Sequence, residues 1–178
     1  MAAATAVGLR SLTLDEYLRS DYEPDADYVD GVLEERPMGE YDHADLQTEI
    51  ATILRGHAKE WGIRAVVEIR IQTKATRFRV ADVCVVAASA PREQILRTPP
   101  VLCIEVLSPE DRLVRVEKRC HEYLAMGVPE VWVFDPAART VLVMRGETKT
   151  LIRDGVLKLA QTPIELNLDE VFATLDLS

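Results

Sequence analysis

Apolar and polar positions change period several times along the chain, and each change marks an element. In "LTLDEYLRS", Thr13 precedes an acidic turn, which predicts a short capped helix. "DADYVDGVLEER" has Asp30-Gly31 between two short runs and predicts an N-terminal hairpin. From 43 to 61, Leu46, Ile50, Ile53, Leu54, Ala58 and Trp61 recur at helical spacing, with Asp42 available as cap. Alternation around Val67, Ile69 and Ile71 predicts a half-buried strand over 64–73, and "FRVADVCVVA" a second over 78–87, joined through "KATR".

Past the polar stretch 88–98, the run 101–107, "VLCIEVL", is apolar except for Glu105 and reads as a strand buried on both faces. Ser108 as cap, Pro109 at the first helical position and Gly127 past the end predict a helix between them. "EVWVFD" (130–135) and "TVLVMR" (140–145) are further strands, with Asp135-Pro136 at their turn. The expected fold is α/β, a mixed central sheet flanked by helices. The crossover helix implies that strands 101–107 and 130–134 are parallel, with a right-handed connection.

One domain is expected from 178 residues, and 48% hydrophobic with 29% charged residues is ordinary for a soluble globular protein. "MAAATAVGLR" has no basic segment followed by a long apolar one, and no apolar run approaches bilayer length, so a cytoplasmic protein without membrane contact is expected. Cys84, Cys103 and Cys120 lie in apolar settings without CxxC spacing and read as core residues rather than metal ligands or disulfides. The net charge of −9 argues against a general nucleic-acid binder, yet it is uneven: −9 over 1–60, +4 over 61–120 and −4 over 121–178. Only the middle third is suited to attracting phosphate, unless the excess there is a chance fluctuation among solvated charges.

Asp82 and Glu105 interrupt apolar strands, where an unpaired carboxylate costs several kcal/mol or takes up a proton. A single buried carboxylate is usually satisfied by an arginine or a helix N-terminus. Two on adjacent strands repel unless a cation lies between them, and oxygen-only ligands favour Mg²⁺ or Mn²⁺ over zinc.

The succession "YVDGVLEE", "DHADLQTEI", "FRVADVCVV", "PPVLCIEVLSPEDR" and "YLAMGVPEVWVFDP" resembles the Uma-two family, formerly a domain of unknown function, whose members are assigned as endonucleases of the PD-(D/E)XK restriction-endonuclease-like superfamily. The resemblance spans residues 11–173 as a single domain, leaving 1–10 as an N-terminal tail. It implies a restriction-endonuclease-like fold, a nucleic-acid substrate, DNA for preference, and a homodimer. It also implies that Asp82, Glu105 and the backbone carbonyl of Val106 bind Mg²⁺ for phosphodiester hydrolysis.

Two departures stand out. Ala81 replaces the proline of the PD pair, and Leu107 stands where the lysine is expected. The family's lysine lies instead on the following helix, four residues before a tyrosine; counting back from Tyr123 gives Arg119, with Lys118 the alternative. With Leu113 at zero and about 100° per residue, Cys120 and Leu124 define the buried face near Val116, Arg119 lies beside it and Lys118 points nearly opposite, which favours Arg119. Arginine stays protonated, so it positions phosphate rather than acting as a base. His43 and Gln47, one turn apart, could border the cleft, or His43 could be a helix-terminal residue without a role in the chemistry. Arg79, Arg77 and Arg70 are candidate phosphate contacts, with surface solubility the better reading of Arg77. Competing readings are a nuclease fold with a degraded site acting as a binding module, and a two-carboxylate glycosidase, for which 6% aromatic residues provide little sugar platform.

Overall fold

A computed structural model describes residues 12–22, 26–36 and 39–176; the expected tail 1–10 lies outside them. The chain opens with helix α1 (Leu14–Arg19), whose Thr13 and Glu16 form a reciprocal capping box. The hairpin β1 (Ala26–Val29) and β2 (Val32–Glu35) turns at Asp30 and Gly31, both with positive φ, as the two-residue turn requires. Helix α2 (Tyr41–Gly56) and the single-turn α3 (Ala58–Trp61) lead into the long antiparallel pair β3 (Ile63–Lys74) and β4 (Arg77–Ala87). Then come β5 (Leu102–Val106), helix α4 (Leu113–Met126), β6 (Val131–Asp135), β7 (Thr140–Arg145) and β8 (Thr148–Ile152). A small pair, β9 (Val156–Lys158) and β10 (Glu165–Asn167), and helix α5 (Leu168–Ala173) close the fold.

The eight strands β1 to β8 form one sheet in the order β2-β1-β4-β5-β6-β7-β8, with β3 also on β4. β5 and β6 are parallel, as expected across a helix, and the other pairs are antiparallel. Residues alternate between two cores. Leu102, Ile104 and Val106 of β5 pack with Leu46, Ile50 and Leu54 of α2 and with α5, while Cys103 faces Val116, Cys120 and Tyr123 of α4. β5 is therefore buried on both faces, and Glu105 shares the α4 side with Cys103. The three cysteines are free and buried. Among the described residues, no helix is long and apolar enough to cross a membrane.

β4 organises the centre. β3 takes one edge along its length, while β1 pairs at Phe78 and Arg77 and β5 at Val83 to Val85, so residues 79–82 lie in the fork between β1 and β5. The face alternation also breaks there: Val83 and Val85 pack toward α2, but Ala81 packs with Cys84 and Val86 toward α4. Facing this break in β3, between the pairs Val67–Val83 and Ile69–Ala81, Glu68 adopts φ of 50°, a left-handed conformation that favours glycine. Both strands thus switch faces together without losing register.

Arg79 fills the fork. Fully buried, it donates to Asp27 of β1 (3.0 Å) and Glu34 of β2 (2.6 Å), and through Nε and Nη2 to both oxygens of Glu122 on α4 (2.8 Å each). Asp27 also accepts the Val80 N–H at 2.8 Å, in place of a strand partner. One side chain thereby fixes the hairpin and α4 relative to β4.

Three boundaries differ from the sequence reading. The helix expected over 43–61 starts at Tyr41 with Glu40 as cap residue, Asp42 lying in its first turn, and it breaks at His57 after Gly56. α4 begins at Leu113 rather than Pro109, because Ser108 and Asp111 close a turn: the Ser108 N–H donates to the Asp111 carboxylate (2.8 Å) and the Asp111 N–H to the Ser108 carbonyl (2.9 Å). Gly127 ends the helix as expected, with φ of 113°. Leu113 itself is 49% exposed, so the buried stripe is Val116, Arg119, Cys120 and Tyr123.

Replacing Arg79 by methionine strands buried Asp27 without its cation and leaves Glu122 with Arg77 alone, and should cost about 3–5 kcal/mol of stability in urea unfolding. A loss below about 1 kcal/mol would mean that the fork is held by apolar packing alone.

Candidate active site

Asp82 stands where the β4–β5 ladder stops. The Val106 N–H, past the last paired residues, donates to Asp82 Oδ2 at 2.7 Å, so the carboxylate continues the ladder across the fork. His43 Nε2 lies 3.5 Å from the same oxygen, and Gln47 Nε2, one turn along α2, donates to the Asp82 carbonyl at 3.1 Å. Arg36, just beyond β2, donates through Nη2 to Oδ1. Glu105 has its own set on the α4 side: Tyr123 O–H donates to Oε1 (2.9 Å) and Arg119 Nη2 to Oε2 (3.1 Å), with Arg36 Nη2 at 3.8 Å from Oε2. A glutamate can stand in a doubly buried strand because two guanidiniums and a phenol meet it.

The two carboxylates differ electrostatically. Burial disfavours ionised Asp82, but Arg36, His43 and the Val106 N–H outweigh it and hold the pKa down at about 2. Burial dominates at Glu105 and, with Asp82 nearby, pushes its pKa up to about 7 against the pull of Arg119 and Arg36. Burial lowers the pKa of His43, but hydrogen bonding and charge at Asp82 raise it overall. The Nε of Arg119 is buried without a hydrogen-bond partner. A pocket of about 270 Å³ beside His43 is lined by Asp42, Asp111 and Asp135, so its electronegative wall disfavours phosphate on that side.

The structure thus brings Asp82, Glu105, Arg119, His43 and Gln47 together, and Val106 joins through its N–H. Lys118 instead pairs with Glu34 of β2 at 3.6 Å, with its side chain 55% exposed. Arg79 does not border the cleft: it is enclosed and saturated by carboxylates, which removes it as a phosphate contact. Arg77 pairs with Asp30 and Glu122, and Arg70 donates to the Ser20 carbonyl and stacks over Tyr17. Sequence reasoning missed Arg36, which follows two glutamates at a strand end and looks like a solvated charge. Tyr123 as a Glu105 donor was signalled only by its place one turn after Arg119.

A cation held between Asp82 and Glu105 would meet carboxylate oxygens from both. Among the described residues, no group of three or more His, Cys, Asp and Glu is placed to hold a metal. A pair of carboxylates suits an ion that keeps most of its waters, as Mg²⁺ does, better than zinc. Arg36 Nη2 reaches both carboxylates, so a single positive charge can serve the two at once. The residues present fit Mg²⁺ or Mn²⁺.

A mixed sheet flanked by helices, with an acidic pair at a strand fork, defines a restriction-endonuclease-like α/β domain. The chain belongs to the Uma2 family, described as "Putative restriction endonuclease", whose model matches residues 14–177. It is similar to the crystal structure of a "putative nuclease belonging to DUF820" from Anabaena variabilis ATCC 29413, with 27% identity and a TM-score of 0.81 over 92% of this chain and 99% of that one. The DrdV–DNA complex, solved by cryo-electron microscopy, matches at a TM-score of only 0.39 and 14% identity, over 71% of this chain and 10% of that one. No curated protein matches the chain.

The raised pKa of Glu105 has a measurable sign. Between about pH 4.5, the ordinary value, and about 7, the native state holds a proton that the unfolded state has lost, so stability falls as pH rises. With chelator present, the wild-type protein should lose on the order of 3 kcal/mol across this window relative to Glu105→Gln. Parallel stability curves for the two proteins would show that Glu105 is ionised throughout.

Proposed function

We propose that the protein is a divalent-cation-dependent nuclease that hydrolyses phosphodiester bonds, with DNA the favoured substrate. The observation that carries this reading is the convergence of Asp82 and Glu105 at the β4–β5 fork, with Arg119 on Glu105. Asp82, Glu105 and the Val106 carbonyl would hold Mg²⁺ or Mn²⁺, whose Lewis acidity polarises a phosphodiester and makes water more acidic.

The remaining chemistry belongs to the chain's own side chains. Arg119 holds Glu105 through Nη2 and brings a second positive charge to the acidic pair, which would stabilise the charge that builds on a phosphate bound there. Because a guanidinium does not deprotonate, Arg119 positions the phosphate and takes no proton. His43 and the Val106 N–H orient Asp82, and Nε2 of His43 can hold a proton at that carboxylate. Tyr123 fixes the rotamer of Glu105. The same reading places the protein in the cytoplasm as a homodimer, since one small domain cutting duplex needs two sites or two events; sedimentation as a monomer at micromolar concentration would remove the dimer.

A second reading, a nuclease fold that binds without cutting, draws support from Leu107 and Arg119 in place of the usual lysine. Incubating plasmid, single-stranded DNA and RNA with Mg²⁺ separates the two. Cleavage abolished in Asp82→Ala is the expected result; metal binding without cleavage of any substrate favours the binding module. Arg119→Ala should cost on the order of 10²-fold or more in rate, Lys118→Ala should cost little, and Arg119→Lys should retain or raise activity. A dead Lys118→Ala with a near-normal Arg119→Ala would overturn the placement of the phosphate-binding cation.

A further inference from the structure

The oxygens of the acidic pair are shared out unevenly. Asp82 Oδ2 is engaged by the Val106 N–H and by His43, and Glu105 Oε1 by Tyr123. The other two oxygens, Asp82 Oδ1 and Glu105 Oε2, are held by guanidiniums alone, Oε2 accepting from Arg119 Nη2 at 3.1 Å, and these are the oxygens a shared cation would use. Arg36 Nη2 lies at both, hydrogen-bonded to the first and 3.8 Å from the second. The Arg36 side chain is only 11% exposed, and it comes from the end of the hairpin rather than from either strand that carries the carboxylates. A divalent ion that used the same two oxygens would sit against this guanidinium, with Arg119 adding a further charge. The repulsion at a few ångströms in a poorly hydrated site is large enough to make the two occupants exclusive.

We propose that Arg36 is a built-in counter-ion of the acidic pair, which the catalytic divalent cation must displace and which, once displaced, becomes a ligand for the substrate phosphate. This inference rests on the nuclease reading above. It explains how two buried carboxylates are accommodated before metal arrives. It also links metal to substrate: a displaced guanidinium needs a new anionic partner, and a phosphodiester beside the metal provides one, so metal and phosphate should bind with positive coupling. Arg36 is then a positioning residue in the absence of metal and a phosphate ligand in its presence.

The test is calorimetric titration with Mn²⁺ alone, for the wild-type protein, Arg36→Gln and Arg36→Lys, with Asp82→Ala as control. Arg36→Gln should bind Mn²⁺ more tightly by on the order of tenfold or more, since no charge must leave. Arg36→Lys, which keeps one charge but not the fork, should fall between. Should Arg36→Gln fail to fold, the wild-type protein still decides: side-chain NMR of nitrogen-labelled arginine should show Arg36 N–H groups that exchange slowly under chelator and quickly at saturating Mg²⁺. Wild-type binding of Mn²⁺ with an equal or weaker Arg36→Gln, or an Arg36 signal unchanged by Mg²⁺, overturns the displacement while leaving the metal site standing. If neither the wild-type protein nor Arg36→Gln binds Mn²⁺, the metal-dependent reading falls, and the displacement with it.

Discussion

Two carboxylates enclosed at the end of one strand pair cannot both be charged without positive partners, and much of this molecule is arranged around that requirement. Asp82 and Glu105 draw in side chains from every neighbouring layer: Arg36 from the hairpin, His43 from α2, and Arg119 with Tyr123 from α4. The charges are not balanced symmetrically. Asp82 has a guanidinium, an imidazole and a backbone N–H, while burial dominates at Glu105, so one carboxylate is acidic and the other retains its proton toward neutrality. A pair tuned apart in this way can stay folded and still accept a cation.

The second layer of support is Arg79. It takes no part in the site, yet it joins β1, β2 and α4 through three carboxylates, and these are the elements that deliver Arg36, Arg119 and Tyr123. Fully buried arginine is costly unless every donor is used, and here Glu122 receives it at both oxygens. The positive φ of Glu68 and the change of faces between Ala81 and Val83 belong to the same arrangement, since β4 passes there from its β1 to its β5 neighbour.

The sheet, its parallel crossover and the long helices were legible in the sequence because their apolar residues recur with periods that only one backbone geometry satisfies. Glu105 was legible because a charge in a doubly buried strand breaks that pattern. Arg119 was separated from Lys118 by helical phase, although Leu113, chosen to set that phase, turned out to be half exposed. The short strands β8, β9 and β10 were not, because exposed polar residues alternate weakly. Arg36 was missed and Arg79 misjudged for a common reason. Arginines in polar surroundings look alike in sequence, and only the fold decides which one is enclosed by Asp27, Glu34 and Glu122 and which one reaches Asp82.

Whether the acidic pair is a metal site can be observed without any assumption about substrate. Crystals of the protein soaked in Mn²⁺ and measured at a wavelength where manganese scatters anomalously would locate the ion directly. The expected result is a peak within bonding distance of Asp82 Oδ1 and Glu105 Oε2, lost in crystals of Glu105→Gln. A fully occupied peak elsewhere, or none at saturating Mn²⁺ with Arg36 still on Asp82, would contradict it.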